Sequence, residues 1–128
     1  MNGYAGQILC VDLREGAVEK ERLDPKLAAD YLGGRGFGAY ILYAEVPQGV
    51  NPLGPKNKLI VSSGPLSGLL VPGAGKMDFT TKSPATGGYA SASMGGLLSA
   101  VKYTQAMMSS SWKGPPPSPF TSSSTTKG

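Results

Sequence analysis

Residues 7–13, QILCVDL, mix alternation with β-branched and apolar residues, and residues 17–23, AVEKERL, alternate again, with Arg14-Glu15-Gly16 between the two runs. Period-two patterning on either side of a short turn predicts a β-hairpin. The period then lengthens. Asp24-Pro25 offers an N-cap and a proline at the first helical position, and Leu27, Ala28, Tyr31 and Leu32 fall on one face, so a helix is predicted that ends at Gly33-Gly34. Residues 39–46, AYILYAEV, predict a short helix packed on a sheet and stopped by Pro47. Beyond the turn-rich connection 48–57, LIVSS at 59–63 reads as a buried strand; KMDFTTKS (76–83) and GYASAS (88–93) read as two more strands around the turn 84–88. Gly95-Gly96 then open LLSAVKYTQAM, a predicted helix with Leu98, Val101 and Ala106 inward. From about Ser109 the chain becomes Ser/Thr/Pro/Gly-rich. Such a segment cannot bury enough apolar surface to offset its ordering entropy, so residues 1–108 are read as one domain and 109–128 as a disordered tail.

Composition supports many turns and short elements. The 128 residues include 19 Gly and 11 Pro, enough chain for a single domain with a modest core. Long helices are therefore not expected. The lone cysteine, Cys10, cannot form an internal disulfide; inside a strand, with no basic neighbour in sequence to activate it, it reads as a small core hydrophobe. With no signal-like start and no apolar run long enough for a membrane span, a soluble cytoplasmic protein is expected. There is no His, which excludes imidazole as base, shuttle or ligand within this chain.

Charge is unevenly placed. Residues 1–45 carry five basic and seven acidic side chains, whereas residues 46–128 carry seven Lys against one acid, Asp78. A cationic C-terminal part suits an anionic partner. The lysines stand singly, without interleaved Arg and aromatics, so nucleic acid is discounted, which leaves an anionic lipid surface or a phosphate-bearing small molecule.

Two glycine motifs look like phosphate cradles and fail on context. Gly34-x-Gly36-x-x-Ala39 matches a relaxed dinucleotide fingerprint, but a helix precedes it where that fingerprint needs a strand. Gly75-Lys76 looks like the end of a P-loop, yet Met77 replaces the hydroxyl residue and Leu70 stands where the first glycine belongs. The segment 73–96, GAGKMDFTTKSPATGGYASASMGG, is poor in large side chains, and from the residues alone both close backbone approach to an anion and plain turn chemistry stay open for it.

The run GQILCVDL, then DPKLAADYLGGRGFGAYILY, then NPLGPKNKLIVSSGPLSGLLVPGAGKMDFTTKSPATGGYASASMGG resembles the N-terminal domain of the aldehyde ferredoxin oxidoreductase family, over roughly residues 3–105. The resemblance implies a β-rich α+β domain with two or three short helices that forms the floor under a tungsten or molybdenum bis-pterin cofactor, with later domains completing the site and supplying the cysteines of a 4Fe-4S cluster. Those cysteines are absent from this chain. Carried over by position, Lys76 would stand for an arginine reaching pterin phosphate, keeping the charge and losing the bidentate fork. Ser93 would stand for an asparagine whose main-chain carbonyl meets a magnesium ion bridging the pterin phosphates. Gly95 and Gly96 would let the ligand approach the backbone N–H groups. Thr81-Lys82-Ser83-Pro84 also matches, as turn or as contact.

The resemblance further implies oxidation of aldehydes to carboxylates with ferredoxin as electron acceptor. Partners would be the pterin cofactor, the remaining domains and ferredoxin, with self-association through an uncovered face. No catalytic residue is assigned, and the chain alone is expected to be inactive. The alternative is a non-catalytic interaction domain that keeps the fold without the cofactor. Past Lys102-Tyr103 the family pattern stops, which reads as a truncated or out-of-frame ending or as a short paralogue.

Overall fold

The computed structural model describes residues 3–13, 15–69 and 71–96. It begins with the hairpin: β1 (Gln7–Asp12) pairs antiparallel with β2 (Ala17–Arg22), from Gln7↔Arg22 at the open end to Asp12↔Ala17 at the turn. Leu23 N–H donates to the Gly6 carbonyl at 3.0 Å and extends the ladder by one step, which brings Leu23 into the core. Asp24 then caps α1 (Pro25–Tyr31), its Oδ1 accepting from the Lys26 N–H at 2.9 Å.

The face expected on α1 is only half realised. Leu27 and Ala28 are buried, whereas Tyr31 and Leu32 are exposed. Leu32 is no longer helical: it is the C-cap, at φ 59, and the chain turns there. Helix α2 runs from Arg35 to Glu45, four residues earlier than expected from residue 39, because the glycines at 36 and 38 are taken into the helix. Its buried stripe is Phe37, Gly38, Ile41 and Leu42, the spacing of an amphipathic helix. A helix therefore does follow the glycine motif, but α1 precedes it.

A second sheet of described strands has the order β3-β4-β5, antiparallel throughout: β3 (Ile60–Ser63), β4 (Lys76–Lys82) and β5 (Tyr89–Gly95). β5 runs to Gly95, two residues beyond the strand expected over 88–93; the helix expected after Gly95-Gly96 and the tail 109–128 lie outside the described residues. Five strands and two helices among the described residues make the fold α+β.

The core cluster takes Leu23, Leu27 and Ala28 from the first half and Phe37, Ile41, Leu42, Val46 and Ile60 from the second. Phe37 is 1% exposed, a burial that stabilises by about 2–3 kcal/mol. Tyr4 stacks on it at 6.5 Å and donates its hydroxyl to the Leu32 carbonyl, closing the N-terminal segment over α1 and α2. Cys10 corrects its expectation: it is half-buried, outside this cluster, and lines a recess with Asp12, Glu15, Glu19, Glu21 and Glu45. Cys10 stands opposite Glu19 on β2, whose side chains are largely exposed.

Candidate functional site

In an antiparallel pair, directly opposed residues share a face, and along each strand that face recurs every second residue. The β4–β5 register opposes Lys76 to Gly95, Asp78 to Ser93 and Thr80 to Ser91. Lys76, Asp78, Ser93 and Gly95 are thus neighbours on one face, and β3 adds Ser62 opposite Asp78 and Ile60 opposite Thr80.

Helix α2 covers one end of this face and leaves the other open. Over Thr80, fully buried, the helix presents Gly38, where a Cβ would overlap the threonine side chain. Close approach at that point seats α2 flat on the sheet, and its first turn then overhangs Asp78. Two glycines make the turn into the helix. Gly33 has φ 131, and a Cβ there would stand 2.7 Å from the Ser63 carbonyl oxygen; Gly34 has φ 51 and ψ −128, and its Cβ would stand 3.0 Å from Asp78 Oδ2. Side chains are excluded at both by conformation and by space. The turn is pinned to β3 by Gly34 N–H donating to the Ser63 carbonyl at 3.1 Å and by Ser62 Oγ–H donating to the Gly34 carbonyl at 2.7 Å.

Arg35, the first residue of α2, is delivered onto the sheet residues. Its Nε lies 3.4 Å from Asp78 Oδ1, and its Nη2 donates to Ser93 Oγ at 3.2 Å. Ser93 Oγ–H in turn donates to Asp78 Oδ1 at 2.5 Å. Asp78 is 14% exposed, Arg35 64%. One carboxylate is held by an arginine and a serine from two other elements, with Lys76 two residues away on the same strand.

Beside this cluster an open groove of about 870 Å³ runs between the α1–α2 turn and the loop after β3; Gly34, Arg35, Lys76 and Asp78 form its polar wall and Leu32 and Val71 part of its apolar one. Among the described residues, nothing lies within 4 Å of where a Cβ would be at Gly96, φ 105, and at Gly95 the nearest atom is the Gly75 carbonyl oxygen at 3.8 Å, so a Cβ would find room at both.

Of the four residues read from the sequence as cofactor contacts, the structure gathers all: Lys76, Ser93 and Gly95 on one face, and Gly96 at the strand's end. Arg35 and the role of Asp78 were missed. The signal available was Arg35's place directly after the paired glycines, and Asp78's spacing of two from Lys76. Thr81-Lys82-Ser83-Pro84 resolves as turn chemistry: Ser83 Oγ accepts from the N–H groups of Ala85 and Thr86, Ser83 exchanges backbone bonds with Gly87 and Gly88, and Thr81 Oγ1 accepts from Asn57 Nδ2.

Comparison with known proteins gives a consistent set of likenesses. Residues 8–108 match the family model described as aldehyde ferredoxin oxidoreductase, N-terminal domain. The chain is 44% identical over 100 residues to the tungsten-containing aldehyde ferredoxin oxidoreductase of Pyrococcus abyssi, a match covering 78% of this chain and 16% of that protein. It is 38% identical over 91 residues to the WOR-like subunit of the aliphatic sulfonate oxidoreductase of Pyrococcus furiosus, covering 69% of this chain and 14% of that subunit. Among solved structures, the active site complex BamBC of benzoyl coenzyme A reductase, in complex with 1,5-dienoyl-CoA, aligns with a TM-score of 0.84 at 34% identity over 90% of this chain and 18% of that one. The chain spans less than a fifth of the length of each of these proteins.

Proposed function

Because this chain belongs to the aldehyde ferredoxin oxidoreductase family, through its N-terminal domain, we propose that its sheet face forms the floor of a tungsten- or molybdenum-pterin site in an enzyme that oxidises aldehydes to carboxylates and passes electrons to ferredoxin. The observation that carries this reading is the β4–β5 register, which sets Lys76, at the edge of a groove, directly opposite Gly95 on one sheet face. A lysine beside a glycine, where no side chain holds a ligand off, suits a phosphate. The fit extends to the phosphate-bearing part of the cofactor: Lys76, Gly95 and Gly96 would hold it, and the Ser93 carbonyl would be available to a magnesium ion between phosphates. The metal–pterin centre, when bound, would supply the two-electron oxidation, and this chain's residues bind and orient it. A 4Fe-4S cluster does not fit this chain, whose single Cys10 cannot provide four thiolates, so that cluster and the electron exit belong to other domains.

The test is to purify the chain from a host that makes the pterin cofactor, measure tungsten and molybdenum by mass spectrometry, and measure oxidised pterin by its fluorescence. Pterin should co-purify with the wild type and fall at least fivefold in Lys76→Ala. A wild type free of pterin under these conditions would sink the cofactor-floor reading. It would favour instead an interaction domain, for which the exposed Leu32, Leu66 and Val71 around the groove offer the apolar surface. Purified chain given aldehyde and a viologen acceptor should reduce no dye, the cluster ligands being elsewhere.

A further inference from the structure

An acid at the centre of a phosphate-facing surface is a liability. Asp78 lies two residues from Lys76 on the same strand face, opposes Ser93, and lines the same groove as Lys76. With its side chain 14% exposed, water screens it poorly, and alone it would cancel the charge that Lys76 offers an anion. The structure answers this with a residue from another element. Arg35 reaches from the first turn of α2 to Asp78 Oδ1 and to Ser93 Oγ, and the Ser93 hydroxyl closes the triangle on the same carboxylate oxygen.

We propose that Arg35 is a positioning residue of the anion-facing surface: it neutralises Asp78 and fixes the Ser93 side chain, so that the face carrying Lys76 stays net positive toward phosphate. This rests on the cofactor-floor reading and adds to it a residue on α2, 41 positions before Lys76 in the sequence, together with a charge count. With Arg35, the cluster of Arg35, Lys76 and Asp78 carries one net positive charge; without it, none. The long reach explains why the α1–α2 turn must be so tight. Only the close passage at Gly33 and Gly34 brings the first turn of α2 over Asp78, and a Cβ at Gly34 would press on that same carboxylate. Arg35 is also suited to the task where a lysine would not be: its Nε and Nη2 meet two different acceptors at once.

The probe is inorganic pyrophosphate, titrated at low ionic strength into the isotopically labelled full chain, with the amide shifts of Gly95 and Gly96 reporting where it binds. The variants are Arg35→Gln, Asp78→Asn and the two combined, each checked for an unchanged melting transition. Loss of one positive charge near a multiply charged anion should weaken binding about tenfold in Arg35→Gln. The double variant should recover to within about threefold of the wild type, because the acid that Arg35 neutralises is gone too. A purely architectural arginine would give no such recovery. Arg35→Gln binding within twofold of the wild type, or a double variant no better than Arg35→Gln, overturns this role while leaving the cofactor floor standing. A wild type whose Gly95 and Gly96 amides do not respond to pyrophosphate overturns both.

Discussion

Gly38 sets the distance between α2 and the sheet, and its replacement by alanine separates two physical expectations of opposite sign. In an ordinary helix interior, Gly→Ala stabilises by about 1 kcal/mol through helix propensity and the smaller entropy of the unfolded chain. At Gly38 the new Cβ would lie 2.7 Å from Thr80 Cβ and nearer still to Thr80 Oγ1, with Thr80 Cγ2 at 3.2 Å. Thr80 is fully buried in the middle strand and cannot swing away. Overpacking of this kind costs about 1–3 kcal/mol, which outweighs or at best balances the propensity gain. The expected net result is a loss of up to about 2 kcal/mol, or up to roughly 10 °C in Tm for a domain of this size. Urea denaturation followed by far-ultraviolet circular dichroism gives the first figure directly. A double-mutant cycle with Thr80→Ala assigns the cause: the two changes should be non-additive by at least about 0.5 kcal/mol, the second relieving the first. If Gly38→Ala proves stabilising, the close packing of α2 on β4 is wrong, and with it the seat that carries Arg35 to Asp78.

Thr80 Oγ1 is buried without a hydrogen-bond partner, so Thr80→Val, which keeps the shape and removes the hydroxyl, should raise stability by about 1 kcal/mol in the same urea assay; a loss would show that the hydroxyl is satisfied in solution. Leu32, exposed at φ 59, occupies a conformation that glycine adopts freely, and Leu32→Gly should stabilise by about 1 kcal/mol, an unchanged or lower Tm counting against strain there. Asn57 ties the loop before β3 to β4, its Nδ2 donating to the Pro52 carbonyl, Thr81 Oγ1 and the Lys82 carbonyl while its Oδ1 accepts from the Lys58 N–H. Asn57→Ala should cost about 2 kcal/mol and speed amide exchange at Lys58; exchange unchanged there would mean that the loop holds without it.

Much of this protein was legible in its sequence because the determining signals are local. The β1–β2 hairpin follows from alternation around a short turn, α1 from Asp24-Pro25, and β3 and β4 from apolar runs between turn residues. The family resemblance is what singled out Lys76, Ser93, Gly95 and Gly96, and the β4–β5 register places the first three on one face. Where local signals ran out, errors appeared. The helical pattern was read only over residues 39–46, whereas α2 begins at Arg35; a glycine's propensity cost is about 1 kcal/mol, and burying Phe37 and fitting Gly38 against Thr80 outweigh it at residues 36 and 38. The strand read over 88–93 runs on to Gly95 because its pairing with Lys76 depends on a partner strand 19 residues away. Cys10 read as core because its strand is apolar, yet the ribbon leaves it half-buried beside acids. The Arg35–Asp78–Ser93 cluster lies at the far end of this scale. Its members are separated by as many as 58 positions, and no spacing in the chain links them. Strand register puts Asp78 opposite Ser93, and the glycine turn with the close seat of α2 brings Arg35 over both: a sequence fixes which charges a chain owns, but only packing decides which of them meet.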